Sequence, residues 1–159
     1  MELPKGAHLY NQVLWGSIGW ATPASFGAAI AEKNKRVILV TGDGSHQLTA
    51  QEVSSMMRYG VKPIIIVINN SGYTIERALC KDPMDLFNNI ASWNYSKLPA
   101  VFNGKSWSIK VETEQELQEA LINAEREQKD KLCYIEICTD KMDMPKLARD
   151  LISESLAKV

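Results

Sequence analysis

Two stretches of sequence decide the fold: Val37-Ile38-Leu39-Val40-Thr41-Gly42-Asp43-Gly44-Ser45 and Ile64-Ile65-Ile66-Val67-Ile68-Asn69-Asn70-Ser71-Gly72-Tyr73. In each, a short β-branched run ends in small and polar residues, a pattern typical of strands buried on both faces of a parallel sheet. Parallel strands that are neighbours end at the same edge of their sheet. We therefore expect Asp43 and Asn70 to lie at the carboxyl edge, where open α/β sheets bind ligands.

The polar residues at this edge have the chemistry of a metal and phosphate site. Carboxylate and amide oxygens, such as those of Asp43 and Asn70, suit a hard cation such as Mg²⁺. Small residues that lead into a helix, as Gly44 and Ser45 do, place N–H and hydroxyl donors where a phosphate can bind. Taken alone, Asp43 or Asn70 would be an ordinary turn residue. Their pairing at the ends of two strands predicts one site for a divalent cation and a phosphate.

Composition is that of an ordinary globular domain. The chain has 159 residues, of which 45% are hydrophobic and 23% charged, and its net charge is −1. This balance gives no reason to expect binding to nucleic acid or to a membrane surface. Three cysteines without a Cys-x-x-Cys pair favour free thiols in a reducing compartment. With no apolar signal segment near the start, we expect a cytoplasmic protein.

Strand and helix signals alternate along the chain. Strands are predicted at 36–41, 63–69, 107–111 and 132–138, and helices at 22–32, 47–59, from about 74, at 113–128 and from about 145. Thr22 is expected to be the N-cap of the first helix, and residues 113–116 are expected to form a capping box that opens the helix over 113–128. The alternation predicts a three-layer α/β/α domain with a mainly parallel central sheet, a single domain over residues 1–159. Residues 80–101 are less regular, and Leu86, Phe87 and Tyr95 are expected to help close the core.

The combined motifs resemble the thiamine diphosphate (ThDP) motif of ThDP-dependent enzymes. Gly-Tyr-Thr-Ile-Glu at 72–76, after the two asparagines, looks specifically like the 2-oxo acid decarboxylases of the pyruvate, indolepyruvate and branched-chain types. Trp-Gly-Ser-Ile-Gly-Trp at 15–20 resembles the segment that holds the cofactor's aminopyrimidine in that family. Trp-Asn-Tyr-Ser-Lys-Leu-Pro at 93–99 resembles the indolepyruvate and branched-chain members. The resemblance extends over nearly the whole chain and implies the ThDP-binding fold.

The resemblance implies a metal and diphosphate site with ThDP and Mg²⁺ as cofactors. The carboxylate of Asp43, the side chain of Asn70 and the carbonyl of Gly72 would bind Mg²⁺, which in turn binds the diphosphate. Gly44 and Ser45 would offer donors to the diphosphate. The implied activity is the non-oxidative decarboxylation of a 2-oxo acid to an aldehyde and carbon dioxide.

Four further positions gain a role from the resemblance. The carbonyl of Gly16 would accept a hydrogen bond from the aminopyrimidine, and Ile18 would be the apolar wedge that bends the cofactor. Ile75 would line the substrate pocket, and Glu76 would assist catalysis on the substrate side. Without the resemblance, Ile18 would be a core residue and Glu76 an exposed acid at a helix start.

His46 and the tryptophans are interpreted as structural residues. His46 follows Ser45, where the family more often has an apolar or small residue. We expect a partly exposed residue at a helix start rather than a phosphate ligand. Trp15, Trp20, Trp93 and Trp107 are expected to pack rather than to form a binding platform.

The resemblance covers only one of the domains in this family's longer chains. Nothing in the sequence corresponds to the pyrimidine-binding domain, and Cys-Lys-Asp-Pro at 80–83 stands where a His-Gly dipeptide is common. We expect a C-terminal fragment that is inactive alone and that forms homo-oligomers. Its expected partners are a pyrimidine-binding domain of the same or a neighbouring subunit and, in the full-length enzyme, a 2-oxo acid substrate.

Two alternatives stay open at this point. The chain could be a separate subunit of a ThDP enzyme that needs a pyrimidine-binding partner chain. It could also be a noncatalytic α/β module that binds Mg²⁺ with a diphosphate or nucleotide. The sequence does not identify the 2-oxo acid.

Overall fold

The computed structural model describes residues 3–156, without the side chains at 151 and 153–156. The domain predicted over 1–159 thus extends outside the described residues, by residues 1–2 and 157–159. In chain order the elements are α1 (Ala21–Ala31), β1 (Ile38–Gly42), α2 (Asp43–Gln47), α3 (Glu52–Arg58), β2 (Ile64–Asn69), α4 (Thr74–Leu79), 3-10 turns at Leu86–Asn88 and Tyr95–Lys97, α5 (Leu98–Val101), β3 (Ser106–Val111), α6 (Glu114–Glu127), β4 (Leu132–Cys138) and α7 (Lys146–Leu156).

The four strands form one parallel sheet in the order β1-β2-β4-β3. β2 lies between β1 and β4, so that Ile64 is opposite both Ile38 and Cys133. β3 pairs with the other side of β4, with Ser106 opposite Leu132. Helices connect the strands, as parallel pairing requires. The predicted parallel α/β architecture is confirmed.

The core is divided between the two faces of the sheet. Because side chains alternate along a strand, neighbours such as Ile64 and Ile65 belong to different clusters. One cluster packs the sheet against α1 and α3 and includes Leu39, Val53, Met56, Ile65, Val67, Tyr95, Leu132 and Tyr134. The other packs it against α6 and includes Ile64, Val111, Ala120, Ala124, Cys133 and Ile135. The sheet therefore has helices on both faces.

The cover over β1 is incomplete on one face. Leu39 and Thr41 are buried, whereas Ile38 and Val40 are 56% and 61% exposed. The reason is that α6, which covers that face, contacts β3 and β4 at the other side of the sheet.

The first two helical regions differ from the prediction. α1 begins at Ala21, so that Thr22 is its second residue rather than its N-cap. The helix predicted over 47–59 begins earlier, at Asp43, and is interrupted between α2 and α3. Thr49 N–H donates to the carbonyl of His46, and its hydroxyl donates to the carbonyl of Gly19 at 2.8 Å. The i→i+3 bond tightens the chain, and the bond to Gly19 fixes this turn against the preceding segment.

Two further local predictions concern the start of α6 and the closure of the core. The capping box is present: Thr113 Oγ1 accepts from Glu116 N–H, and Glu116 Oε2 accepts from Thr113 N–H. Tyr95 is buried as predicted, but Leu86 and Phe87 are 85% and 63% exposed and do not close the core. Among the described residues, no helix is both long and apolar enough to cross a bilayer.

Candidate metal centre and cofactor site

The three residues predicted to bind a metal come together at the carboxyl edge of the sheet. Asp43 is the first residue of α2, directly after β1, and Asn70 directly follows β2. One terminal atom of the Asn70 amide lies 3.3 Å from Asp43 Oδ1 and 2.8 Å from the carbonyl oxygen of Gly72. The other terminal atom lies 2.8 Å from Thr74 Oγ1. A carboxylate, a side-chain amide and a backbone carbonyl thus converge on one point.

The orientation of the Asn70 amide decides what this point can hold. With its nitrogen toward Asp43 and Gly72, the amide donates to both oxygens and closes the site. With its oxygen there, three oxygens converge without a proton between them, an arrangement that a cation stabilises. Thr74 favours the second orientation. Its hydroxyl has one proton, which it donates to the Lys141 carbonyl at 2.8 Å, so that it is free to accept from the Asn70 nitrogen.

The donor set therefore fits a hard divalent cation. Mg²⁺ prefers oxygen ligands and is usually bound by one or two carboxylates, with the remaining positions filled by other oxygens. Asp43 supplies the only carboxylate oxygen within this group of three. Asn70 and Gly72 supply neutral oxygens.

Asp43 is held in place by backbone donors and is almost fully buried, at 1% exposure. Its Oδ1 accepts from Gly44 N–H at 2.8 Å, and its Oδ2 accepts from Gly72 N–H at 3.1 Å. Burial raises the pKa of Asp43 above its ordinary value, although the bonds from Gly44 and Gly72 act in the opposite direction. A cation at this position would counter the cost of burying the carboxylate.

Gly72 is required at its position by both conformation and space. Its φ of +137° lies in a region that L side chains rarely adopt. A Cβ there would overlap the carbonyl oxygen of Asn88 and lie 2.7 Å from Arg77 Nη2. Ser71, directly before it, is also left-handed, with a φ of 60°. The backbone between β2 and α4 is therefore tightly constrained.

On the diphosphate side, the Gly44 donor already has a partner, whereas the Ser45 hydroxyl acts only as an acceptor within the chain. Gly44 N–H donates to Asp43, and a Cβ at Gly44 would meet the ring of Tyr73. Ser45 Oγ accepts from Gly19 N–H at 2.8 Å, which leaves its own proton available to a ligand. The bond from Gly19 ties the end of the 15–20 segment to α2. The diphosphate roles of Gly44 and Ser45 stay predictions.

The remaining predicted site residues lie on the surface. Ile18 and Ile75 are 53% and 54% exposed, and Gly16 and Glu76 are also exposed. Trp15 is 86% exposed, so the prediction that it packs is wrong within this chain. The roles of Gly16, Ile18, Ile75 and Glu76 stay predictions.

His46 is fully buried, which corrects the prediction of a partly exposed residue. Because α2 begins at Asp43, His46 falls one turn later and is turned inward. Its Nδ1 lies 3.0 Å from Thr22 Oγ1, and the rings of Tyr95 and Tyr134 lie 6.5 and 5.8 Å from its own. Burial lowers the pKa of His46 to about 4. His46 is therefore a neutral core residue beneath the site.

Two buried charged residues support the site, and the sequence analysis predicted neither of them. Glu136 is 2% exposed; its Oε1 accepts from Asn69 Nδ2 at 2.8 Å, and its Oε2 accepts from Ser96 N–H at 2.9 Å. Its position inside the apolar run of β4 was a usable signal, because such a charge rarely lies in a buried strand without a purpose. Arg77 is fully buried beside the loop that carries Asn70 and Gly72. No local pattern distinguishes it from an ordinary surface arginine.

Fold and site together define a parallel α/β domain with a candidate cation site at the carboxyl edge of its sheet. Residues 1–137 match the family described as "Thiamine pyrophosphate enzyme, C-terminal TPP binding domain", thiamine pyrophosphate being a synonym of ThDP. The chain belongs to this family. The predicted family and ThDP-binding fold are confirmed.

Curated relatives and a solved structure agree with this assignment. The chain is 43% identical to an alpha-keto-acid decarboxylase of Mycobacterium leprae, over 92% of this chain and 26% of the relative. It is 48% identical to pyruvate decarboxylase 3 of Arabidopsis thaliana, over 92% of this chain and 25% of the relative. Benzoylformate decarboxylase from Polynucleobacter necessarius superposes with a TM-score of 0.72 at 25% identity, covering 82% of this chain and 25% of that one. The chain thus spans about a quarter of the length of these relatives.

Proposed function

We propose that this chain supplies the Mg²⁺- and diphosphate-binding part of a 2-oxo acid decarboxylase. The reaction would be the non-oxidative decarboxylation of a 2-oxo acid to an aldehyde and carbon dioxide. The observation that carries the proposal is the convergence of the Asp43 carboxylate, the Asn70 amide and the Gly72 carbonyl at the edge of the sheet. The names of the relatives, which are decarboxylases of 2-oxo acids, support the reaction class.

Different residues of the chain would bind the metal, face the diphosphate and face the substrate. Asp43, Asn70 and Gly72 would hold Mg²⁺, and Gly44 and Ser45 would face the diphosphate. ThDP, when bound, supplies the carbon nucleophile and electron sink of the reaction. The protein would contribute binding and orientation of the reactive groups.

The exposed residues would act on the other half of the cofactor and on the substrate. The carbonyl of Gly16 would accept a hydrogen bond from the aminopyrimidine, and Ile18 would support the ring system. Ile75 would exclude water from the substrate side. The carboxyl group of Glu76, in the first turn of α4, would hold or move a proton at the reacting carbon.

A pyrimidine-binding domain of the same or a neighbouring subunit is the proposed partner. Apolar side chains that a packed domain would bury are exposed on the segment before α1. Val13, Leu14 and Trp15 are 84%, 89% and 86% exposed. Exposed apolar groups in such concentration are typical of an interaction surface. In the assembled enzyme this surface would be covered, and homo-oligomers are expected.

Two finer features belong to the same proposal. An indolepyruvate-type substrate is supported by the resemblance of the 93–99 segment; a higher kcat/KM for pyruvate than for indolepyruvate in the full-length enzyme would contradict it.

A cytoplasmic location is supported by three free cysteines at positions 80, 133 and 138. Recovery of the full-length protein from a secreted fraction would contradict that location.

A thermal-melt comparison tests the metal and cofactor assignment. Millimolar ThDP with Mg²⁺ should raise the Tm of the wild-type chain, because a ligand that binds only the folded state stabilises it. ThDP with EDTA, or ATP with Mg²⁺, should raise it far less. Asp43→Asn should abolish the response, whereas Asp130→Asn, at an exposed residue after α6, should preserve it. An equal response in Asp43→Asn would refute the assignment of the metal site.

A further inference from the structure

Arg77 has an unusual position in α4. It is the largest fully buried side chain among the described residues, at 0% exposure. Ile75 and Glu76, directly before it, are exposed. α4 therefore presents outward the two residues predicted to face the substrate, and it presents a cation inward. A buried cation is costly unless its donors are satisfied, so its partners indicate why it is there.

The guanidinium of Arg77 donates to acceptors on three segments. Nη2 donates to the Ser71 carbonyl at 2.7 Å and to Asn89 Oδ1 at 3.0 Å. Nη1 donates to the Asn70 carbonyl at 3.3 Å and to the Lys141 carbonyl at 3.4 Å. The described residues show no salt bridge between Arg77 and a carboxylate. Neutral acceptors thus pair with both terminal nitrogens, whereas Nε is buried without a hydrogen-bond partner among the described residues. Two of the acceptors are consecutive carbonyls of the loop between β2 and α4.

The peptide group that joins Ser71 to Gly72 is held from both sides. In a trans peptide the C=O and N–H groups point in opposite directions. The carbonyl accepts from Arg77 at 2.7 Å, and the N–H donates to Asp43 Oδ2 at 3.1 Å. One planar unit thus lies between a cation and an anion, and both bonds are charge-assisted. This clamp fixes the left-handed turn that directs Asn70 and Gly72 toward Asp43.

We propose that Arg77 is a positioning residue for the metal-binding loop. By clamping the Ser71–Gly72 peptide, Arg77 holds the oxygens of Asn70 and Gly72 against Asp43 in the arrangement that admits Mg²⁺. Because Arg77 belongs to α4, it also joins this loop to the helix that carries Ile75 and Glu76. Metal uptake and the placement of Glu76 are thereby linked. The part of this inference that concerns Mg²⁺ rests on the proposed function.

Hydrogen exchange in the metal-free chain tests the clamp directly. The amide of Gly72 is expected to exchange about tenfold faster in Arg77→Lys and Arg77→Met, since each variant loses charge-assisted bonds to the loop. Asn89→Ala, which removes one acceptor and keeps Arg77, should give a smaller increase of about threefold. The amide of Val67, inside β2, should be unchanged. Arg126→Lys, at an exposed arginine of α6, is the matched control.

Mg²⁺ titration at saturating ThDP separates positioning from a general structural role. The Mg²⁺ concentration at half-saturation should rise about tenfold in Arg77→Met and less in Arg77→Lys, because lysine restores the charge but not the two-pronged geometry. The affinity for ThDP at saturating Mg²⁺ should change little in Arg77→Lys. Equal losses in both titrations would indicate a merely structural role and overturn the proposal.

Other results of these experiments also bear on the role of Arg77. Unchanged Gly72 exchange in Arg77→Lys, with a Mg²⁺ midpoint like that of the wild type, would overturn the proposal. If Arg77→Met does not fold, Arg77→Lys and Asn89→Ala carry the test. If the wild-type chain shows no Mg²⁺-dependent binding of ThDP, the proposed function fails, whereas the exchange measurements still decide whether Arg77 fixes the loop.

Discussion

The inner and outer halves of the candidate site differ in how the chain holds them. In the inner half, Asp43 and Gly72 are buried and bonded to each other, and Asn70 lies between them. In the outer half, Ile18 and Glu76 are exposed and show no such mutual bonds among the described residues. The chain thus fixes by itself the groups suited to a metal. The groups assigned to the organic part of the cofactor and to the substrate are left exposed.

Gly72→Ala should break the inner half and have the largest effect on stability. The new Cβ would overlap the Asn88 carbonyl and force alanine into an unfavourable φ. We expect the free energy of unfolding to fall by about 3 kcal/mol or more, as for other strained or overpacked sites. Urea denaturation measures this loss.

Gly27→Ala provides the matched control for that substitution. Gly27 lies within α1, and a Cβ there meets nothing within 4 Å. Alanine in a helix is favoured over glycine by about 0.5–1 kcal/mol, so this variant should be slightly more stable than the wild type. A loss of less than 1 kcal/mol in Gly72→Ala would show that the loop can relax, which contradicts the rigid inner half.

Lowering the pH should reduce the free energy of unfolding through His46, which is buried beneath the inner half of the site. Its pKa is lowered to about 4 in the folded chain, against about 6.5 when unfolded. The unfolded state therefore binds more protons between these values, and stability falls as pH drops from about 6.5 to about 4. Linkage gives a loss of about 2–3 kcal/mol from this group. His46→Gln should remove that contribution from the pH profile of urea denaturation.

His8→Gln is the control, because His8 is the other histidine of the chain and lies in solvent. Its stability profile should follow that of the wild type. A His46→Gln profile as steep as the wild type would show that His46 is accessible to protons in the folded state. That result would contradict the burial of His46 in the folded chain.

Substitutions on the exposed segment before α1, which adjoins the outer half, should change association more than stability. Leu14→Ser and Trp15→Ser remove side chains that are 89% and 86% exposed, so each should alter the free energy of unfolding by less than about 0.5 kcal/mol. Both should weaken self-association in sedimentation equilibrium. As a contrast, Leu39→Ala, at a buried position, should cost about 2–5 kcal/mol. Unchanged association of both surface variants would exclude this segment from the oligomer interface.

The inner half could be predicted because its signals are local. The apolar runs before Asp43 and Asn70 set two strands, and parallel pairing places their ends together. The capping box at Thr113 likewise depends on only four consecutive residues. Such features depend on backbone propensity and on the position of a residue within its own element.

The other features depend on contacts between distant parts of the chain. The burial of His46 requires Thr22, and the break after α2 involves Gly19. Leu86 and Phe87 are apolar but lie in a turn that faces solvent, so composition alone misplaced them. The role of Arg77 required the positions of Ser71, Asn89 and Lys141, which no local pattern contains.

The strand order has a consequence for how the chain acquires its structure. β2 pairs on one side with β1, which is close in sequence, and on the other with β4, so that Ile65 lies opposite Tyr134. The second pairing must close a long loop, and contacts of high sequence separation slow folding. During synthesis, β2 therefore emerges long before its second neighbour exists. One edge of β2, the most apolar strand, therefore stays unpaired until β4 has left the ribosome.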